Sequence, residues 1–297
     1  MEVFNKKETL IRTISFMAFF VAINVMCSFL TTVLPLLSVV MIIFLPLTSA
    51  MVEVMCKDRW FPIYAFSTIG LSIVVSLQSI DFTLFYIIPS IFTGYIFGLF
   101  SKRNLPGMFS IFVASIIQMV LSIASIYILE VATGIDIFDI IAKILRISDR
   151  FWFNLLILVG FFFVGLVQTF LSYIVVKNEL SKFGNNPSEI NNNSLVPEIA
   201  TLVSLAVSTL FSFFYLSVSI LFYAFAIYFF IFVIIEHVKA KQKMSLIIDG
   251  IILLLAIFFY AGLNNLISND FHILLLFFAP LLISSYSIFH YFLKKSQ

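Results

Sequence analysis

The sequence predicts an all-α, polytopic transmembrane helical bundle of about ten spans, six plus four, with both termini cytoplasmic. Three observations carry that prediction. First, 62% of the 297 residues are hydrophobic and only 11% are charged, whereas soluble domains sit near half apolar and a quarter charged. Second, the apolar residues gather in runs of the length a helix needs to cross a hydrocarbon core. Third, the basic residues recur on alternate connections, as the positive-inside rule requires. Lipid offers the backbone no hydrogen-bond partners, so each run must be helical.

Taken in order, the expected spans are 11–30, 33–52, 60–78, 82–100, 108–129, 152–176, 198–214, 217–235, 244–262 and 272–292. The apolar stretch at the N-terminus follows Lys6, Lys7 and Arg12 but ends in no small-x-small cleavage site, so it reads as an uncleaved first helix. The run 198–235 is too long for one span and is divided near Tyr215. A single kinked helix there would instead give nine spans. With the N-terminus inside, 14 of the 17 basic residues fall on the inner side, leaving only Lys143, Arg146 and Arg150 outside. Those three belong to Asp136–Arg150, where Ile137, Ile140, Ile141, Ile144 and Leu145 follow helical spacing. This segment is expected to be an amphipathic helix at the outer interface, either a packed connector or a lid.

The polar stretch 177–197, rich in Asn and Ser, divides the chain into a six-helix module (1–176), a cytoplasmic linker and a four-helix module (198–297). Pro35, Pro46, Pro89 and Pro280 interrupt spans and should bend them. Ala18 with Ala22, and Gly94 with Gly98, form small-xxx-small pairs that let helices approach closely.

Several function classes are excluded at this level. A net charge of +2 gives no case for a nucleic-acid partner. Cys27 and Cys56 fall towards opposite faces, and no Cys or His cluster has metal-ligand spacing. Nucleotide, zinc-protease and serine-hydrolase motifs are missing, and His237, His272 and His290 are scattered around span ends. The chain therefore reads as non-enzymatic, with no catalytic residues, no cofactor and no metal. A membrane enzyme acting on lipid-linked substrates would need convergent acids, bases or ligands. Asp249 is the one acid clearly inside a span, and either pairing with a basic group or ion coupling suits it. The four-helix module otherwise reads as nearly free of buried polar groups. Its inner loop 236–243 is basic and suits anionic lipid.

Neutral polar groups are more informative. Asn24, Gln78, Tyr86, Trp152 and Asn154 share the outer half of the first six spans, with Gln118 near the midplane. Amides and rings at matching depth are what a pocket for an uncharged or zwitterionic small molecule would use. Interhelical amide bonds and interface aromatics would produce the same pattern.

The Ala18–Ala22 segment AFFVA and the Phe92–Arg103 segment FTGYIFGLFSKR resemble the S components of energy-coupling-factor vitamin transporters over residues 11–176. The full chain is similar to the YybS-like membrane proteins, whose first half is S-component-like. The resemblance implies a plasma-membrane, multi-pass transport component that binds a vitamin-like molecule near its extracellular side. It also implies that Ala18 and Ala22 face a membrane coupling subunit, with ATPases supplying energy. S components have a longer loop after the first helix than Thr31–Thr32 provides here, which makes Asp136–Arg150 the substitute cap. The alternative is a membrane scaffold or regulator with no transported ligand.

Overall fold

The computed structural model describes residues 10–34, 36–76, 80–183, 195–239, 243–263 and 278–296, and these are helical with no strand among them. Pro35 and Gln78 lie outside the described residues. Among the described residues, five helices are long and apolar enough to cross a membrane: Leu10–Val33, Ile80–Lys102, Gly107–Thr133, Arg150–Lys182 and Leu216–Lys239. The chain divides into two compact units, residues 1–153 with 160–189, and residues 154–159 with 190–297.

The first unit contains α1 (Leu10–Val33), α2 (Leu37–Met55), α3 (Phe61–Val75), α4 (Ile80–Lys102), α5 (Gly107–Thr133), α6 (Ile137–Leu145) and most of α7 (Arg150–Lys182). Its helices are oily outside and hydroxyl-bearing inside. In α1 the buried positions are Thr13, Met17, Val21, Asn24, Ser28 and Thr31, while Phe19, Met26 and Phe29 are exposed. In α3 they are Phe61, Tyr64, Thr68 and Ser72, while Phe66 is exposed. Water would favour the reverse arrangement. A hydrocarbon solvent removes any reason to bury Phe and leaves small, hydrogen-bonding residues to mediate helix contacts.

Two prolines test the backbone accounting. Pro46 sits inside α2 and cannot donate to the Ile42 carbonyl four residues back. The Ser172 hydroxyl on α7 donates to that oxygen at 3.4 Å. In α4 the chain makes a π turn over Thr83–Ile87, with Ile88 N–H bonded to Thr83 O. Leu84 O would next look to residue 89, which is proline. The buried Ser125 hydroxyl on α5 reaches it at 3.0 Å, sharing its proton with Leu121 O at 2.8 Å. In both cases a serine from another helix replaces the missing donor.

The glycine pair in α4 packs within the chain. A methyl group at Gly94 would lie 2.2 Å from Pro46 O, and one at Gly98 would lie 2.7 Å from Glu53 Cβ. Hence α2 and α4 approach at backbone distance.

The amphipathic helix forms over Ile137–Leu145, shorter than the predicted 136–150. Asp136 caps it by accepting from Asp139 N–H at 2.8 Å, and Arg146 ends it in the left-handed region at φ 55°. Lys143 pairs with Asp139 one turn back, which holds the ammonium pKa above its ordinary value. Glu130 on α5 accepts from Phe138 N–H, and the Phe138 ring lies between Tyr127 and Phe153. Ile140, Ile144 and Leu145 remain exposed.

The predicted linker 177–197 begins later than expected. Helix α7 continues through Lys177 to Lys182, supported by a Glu179–Lys182 pair at 2.6 Å and a fully buried Leu180. Residues 184–194 lie outside the described residues.

The second unit contains α8 (Val196–Ser212), α9 (Leu216–Lys239), α10 (Lys243–Leu263) and α11 (Phe278–Ser296). The apolar run 198–235 is interrupted at 213–215. Below that turn α8 and α9 pair through reciprocal bonds: Ser208 Oγ donates to Ser219 O at 2.7 Å, and Ser219 Oγ to Ser208 O at 2.8 Å.

Replacing Ser125 with Ala should orphan Leu84 O and cost about 1–3 kcal/mol. In a double-mutant cycle, Pro89→Ala restores a backbone donor, so Ser125→Ala should cost less in that background. Thermal unfolding in detergent checks both. Gly94→Ala should be more damaging than Gly70→Ala, whose Cβ would meet nothing within 4 Å.

Candidate functional site

The predicted pocket residues have separate fates. Asn24 is buried in a knot joining α1, α2 and α3. Its amide donates to Tyr64 Oη at 2.7 Å and accepts from Thr48 Oγ1 at 3.0 Å, while Ser49 Oγ lies 3.2 Å from Tyr64 Oη. These groups are mutually satisfied. Tyr86 packs beside Phe82, ring centroids 5.0 Å apart. Gln118 is buried on α5 near Gly165 of α7, where a methyl would lie 3.6 Å from Gln118 Cβ. Its Oε1 has no hydrogen-bond partner among the described residues. Trp152 and Asn154 are exposed, and Gln78 lies outside the described residues. None of the five described residues lines either the groove between α1 and α3 or the cavity beside Cys27 and Thr48.

Ala18 and Ala22 are exposed on α1 and line an apolar groove of about 640 Å³ between α1 and α3. Trp60, Ile63, Ser67 and Leu71 form the opposite wall. A second cavity of about 320 Å³ is lined by Cys27, Met41, Thr48 and Glu179, among others.

At the far end of the α2–α4 contact stands an ionic group. Lys102 Nζ donates to Glu53 Oε1 at 3.1 Å, Asp58 Oδ1 at 2.6 Å and Cys56 O at 3.1 Å. Glu53 is buried and its second oxygen has no partner among the described residues. Gly98 lies one turn before Lys102, so the close helix approach is what brings the ammonium to Glu53. The hydrogen bond from Lys102 holds the exposed Asp58 carboxyl below its usual value. Cys56 and Cys27 are not in a disulfide.

The second unit corrects the expectation that, Asp249 apart, it is nearly free of buried polar groups. Glu198, His237, Asp249 and Ser287 are all buried, one each from α8, α9, α10 and α11. Asp249 Oδ2 lies 2.7 Å from His237 Nδ1, and His237 Nε2 lies 3.1 Å from Ser287 Oγ. Ser287 Oγ donates to Glu198 Oε1 at 2.7 Å. Glu236, next to His237, also has a buried oxygen with no partner among the described residues, as do Glu198 and Asp249. Two residues of the predicted lipid-facing loop, Glu236 and His237, are thus part of the helix and turned into the unit.

Sequence reading missed this group because its members are 12, 50 and 89 residues apart. The available signal was depth. Glu198 opens α8, His237 closes α9, Asp249 follows the start of α10, and the return of α11 brings Ser287 level. Among the described residues, no set of His, Cys, Asp and Glu is arranged to hold a metal ion. No protein-family model, curated protein or solved structure matches the chain.

Lys102→Met should leave Glu53 buried and unpaired, destabilising the protein by about 3–5 kcal/mol. Adding Glu53→Gln should recover part of that loss in the same thermal assay. A depressed carboxyl stabilises fully above its unfolded pKa of ~3.9, and that contribution is lost as pH falls through the folded value. Asp58→Asn should therefore lower stability at neutral pH by less than about 1 kcal/mol for so exposed a pair, seen as a small drop in Tm. Its melting curves should converge with wild type in acid.

Proposed function

We propose that the chain is a multi-pass plasma-membrane protein of about ten spans with both termini in the cytoplasm. On this reading the first unit is the S-component-like, small-molecule-binding part of a transport system, and partner subunits supply the energy. It is a binding and transport component rather than an enzyme.

The groove between α1 and α3 carries the proposal. Two alanines one turn apart make one wall low, and the lining is almost wholly apolar. A transmembrane helix can approach such a wall at close range, where small side chains allow extended van der Waals contact. That is the role the A-x-x-x-A resemblance assigns to Ala18 and Ala22. The ligand part of the proposal rests on Gln118, whose buried amide oxygen has no donor among the described residues. Asn24 instead contributes by fixing α1 against α2 and α3, which sets the wall on which the partner would dock.

Crosslinking followed by identification of co-purifying proteins tests the partner. Wild type should retain a membrane coupling subunit and ATPases. Ala18→Leu with Ala22→Leu should lose them while leaving the Tm unchanged, since both positions are exposed. Recovery of unrelated machinery would favour a scaffold or regulator. For the ligand, a panel of vitamin-like molecules should raise the Tm of wild type and not of Gln118→Leu. If no compound raises it, the binding role fails.

A further inference from the structure

We propose that Glu198, Ser287, His237 and Asp249 form a proton relay, in which one proton passes between the His237 imidazole and the Glu198 carboxylate through the Ser287 hydroxyl. The inference does not rest on the transport reading. It rests on the order of donors and acceptors along the chain.

Asp249 as a carboxylate only accepts, so His237 Nδ1 carries a proton in every state of the relay. In one state Nε2 is also protonated and donates to Ser287 Oγ, whose own proton goes to Glu198 Oε1. The imidazole is then a cation and Glu198 an anion. In the other state Glu198 donates to Ser287 Oγ, Ser287 donates to Nε2, and the imidazole is neutral. Three protons lie on the chain in both states. Passing from the first to the second breaks Nε2–H and forms Oγ–H, while the original Oγ–H is broken and Oε1–H is formed. No electrons are transferred and no other reactant is needed. The distances of 2.7, 3.1 and 2.7 Å permit both directions.

The surroundings explain why a proton must reside here. Glu198 from α8, Glu236 from α9 and Asp249 from α10 all act on one imidazole. Lys239, at the exposed end of α9, acts on Glu236. From α11 comes the neutral Ser287, and His290 one turn on is exposed beside Tyr286. Three ionised carboxylates around a neutral imidazole would leave three negative charges in an apolar bundle, and one bound proton, on His237 or on Glu198, removes one of them. A metal ion would relieve it too, but these groups do not converge on one point. Asp–His–Ser order is also that of a nucleophilic triad. Here, however, Ser287 Oγ is already bonded to a carboxylate at 2.7 Å, which occupies the space a substrate carbonyl would need.

The test uses the full-length protein in detergent, with ¹⁵N-labelled histidine and infrared detection of protonated carboxyl groups. His237→Gln assigns the His237 resonance. In wild type, His237 and one buried carboxyl should titrate with a shared midpoint. Glu198→Gln should remove that carboxyl band and move the His237 midpoint by about one pH unit, a tenfold change in proton affinity. Ser287→Ala keeps both ionisable groups but removes the hydroxyl that lets either one hold the proton with its hydrogen bonds intact, so the two protonated forms cease to be matched in energy and the midpoints should separate by a similar amount. Ser287→Thr, which retains a hydroxyl, should keep them together. A purely structural network would lose Tm in Ser287→Ala with the shared midpoint intact, and that result overturns the relay. So does a His237 that holds one protonation state between roughly pH 4 and about 10. Covalent labelling of Ser287 by a fluorophosphonate would overturn it in favour of nucleophilic chemistry.

Discussion

Pro46 and Pro89 each leave a carbonyl without its helical donor, and in each case a serine from a neighbouring helix fills the vacancy. In water such a group would simply be solvated. In hydrocarbon it costs several kcal/mol, so the bend and its serine must be supplied together. This constraint reaches well beyond two prolines. It accounts for hydroxyl-bearing stripes on the inner faces of α1, α3, α7 and α8, where a soluble helix would place Leu or Phe. It also accounts for the exposed rings outside, because lipid does not penalise them.

The same logic links packing to charge in the first unit. Without side chains at Gly94 and Gly98, α4 lies against the α2 backbone. Lys102 continues that face by one turn and meets Glu53, which is buried only because the helices are so close. Asp58, in the turn after α2, completes the group from the exposed side. A wider helix spacing would leave Glu53 without its cation. Two glycines thus determine whether a buried carboxylate is tolerable.

Much of this architecture was legible. Hydropathy runs marked the apolar helices, since a membrane-crossing helix is a local property of some 20 residues. The turn at 213–215 could be placed because a 38-residue apolar helix has no bilayer to match. The amphipathic period of 137–145 gave α6, although its end at Arg146 depends on one left-handed residue. Partner choice was not legible. Asn24, Tyr86 and Gln118 share polarity and approximate depth, yet depth says nothing about which way a side chain turns. Asn24 turns to Tyr64, 40 positions away. The four-residue group of the second unit was hidden for a related reason. Averaging over a window dilutes one Glu or one His among many apolar neighbours, and only their common level in four antiparallel runs betrays them.

The two buried polar knots differ in a way that separates structure from work. Asn24, Thr48, Ser49 and Tyr64 are neutral groups whose donors and acceptors match, so the knot carries no charge to move. Such a knot fixes helix positions. Glu198, His237, Asp249 and Ser287 are mostly ionisable, and Glu198 and Asp249 each keep an oxygen with no partner among the described residues. Their chain can be drawn with its protons running in either direction, so it has two forms of the same composition. Burying two carboxylates merely to hold helices together is a poor use of them, since apolar residues of similar volume serve at least as well. The placement is explained when the charge has something to carry.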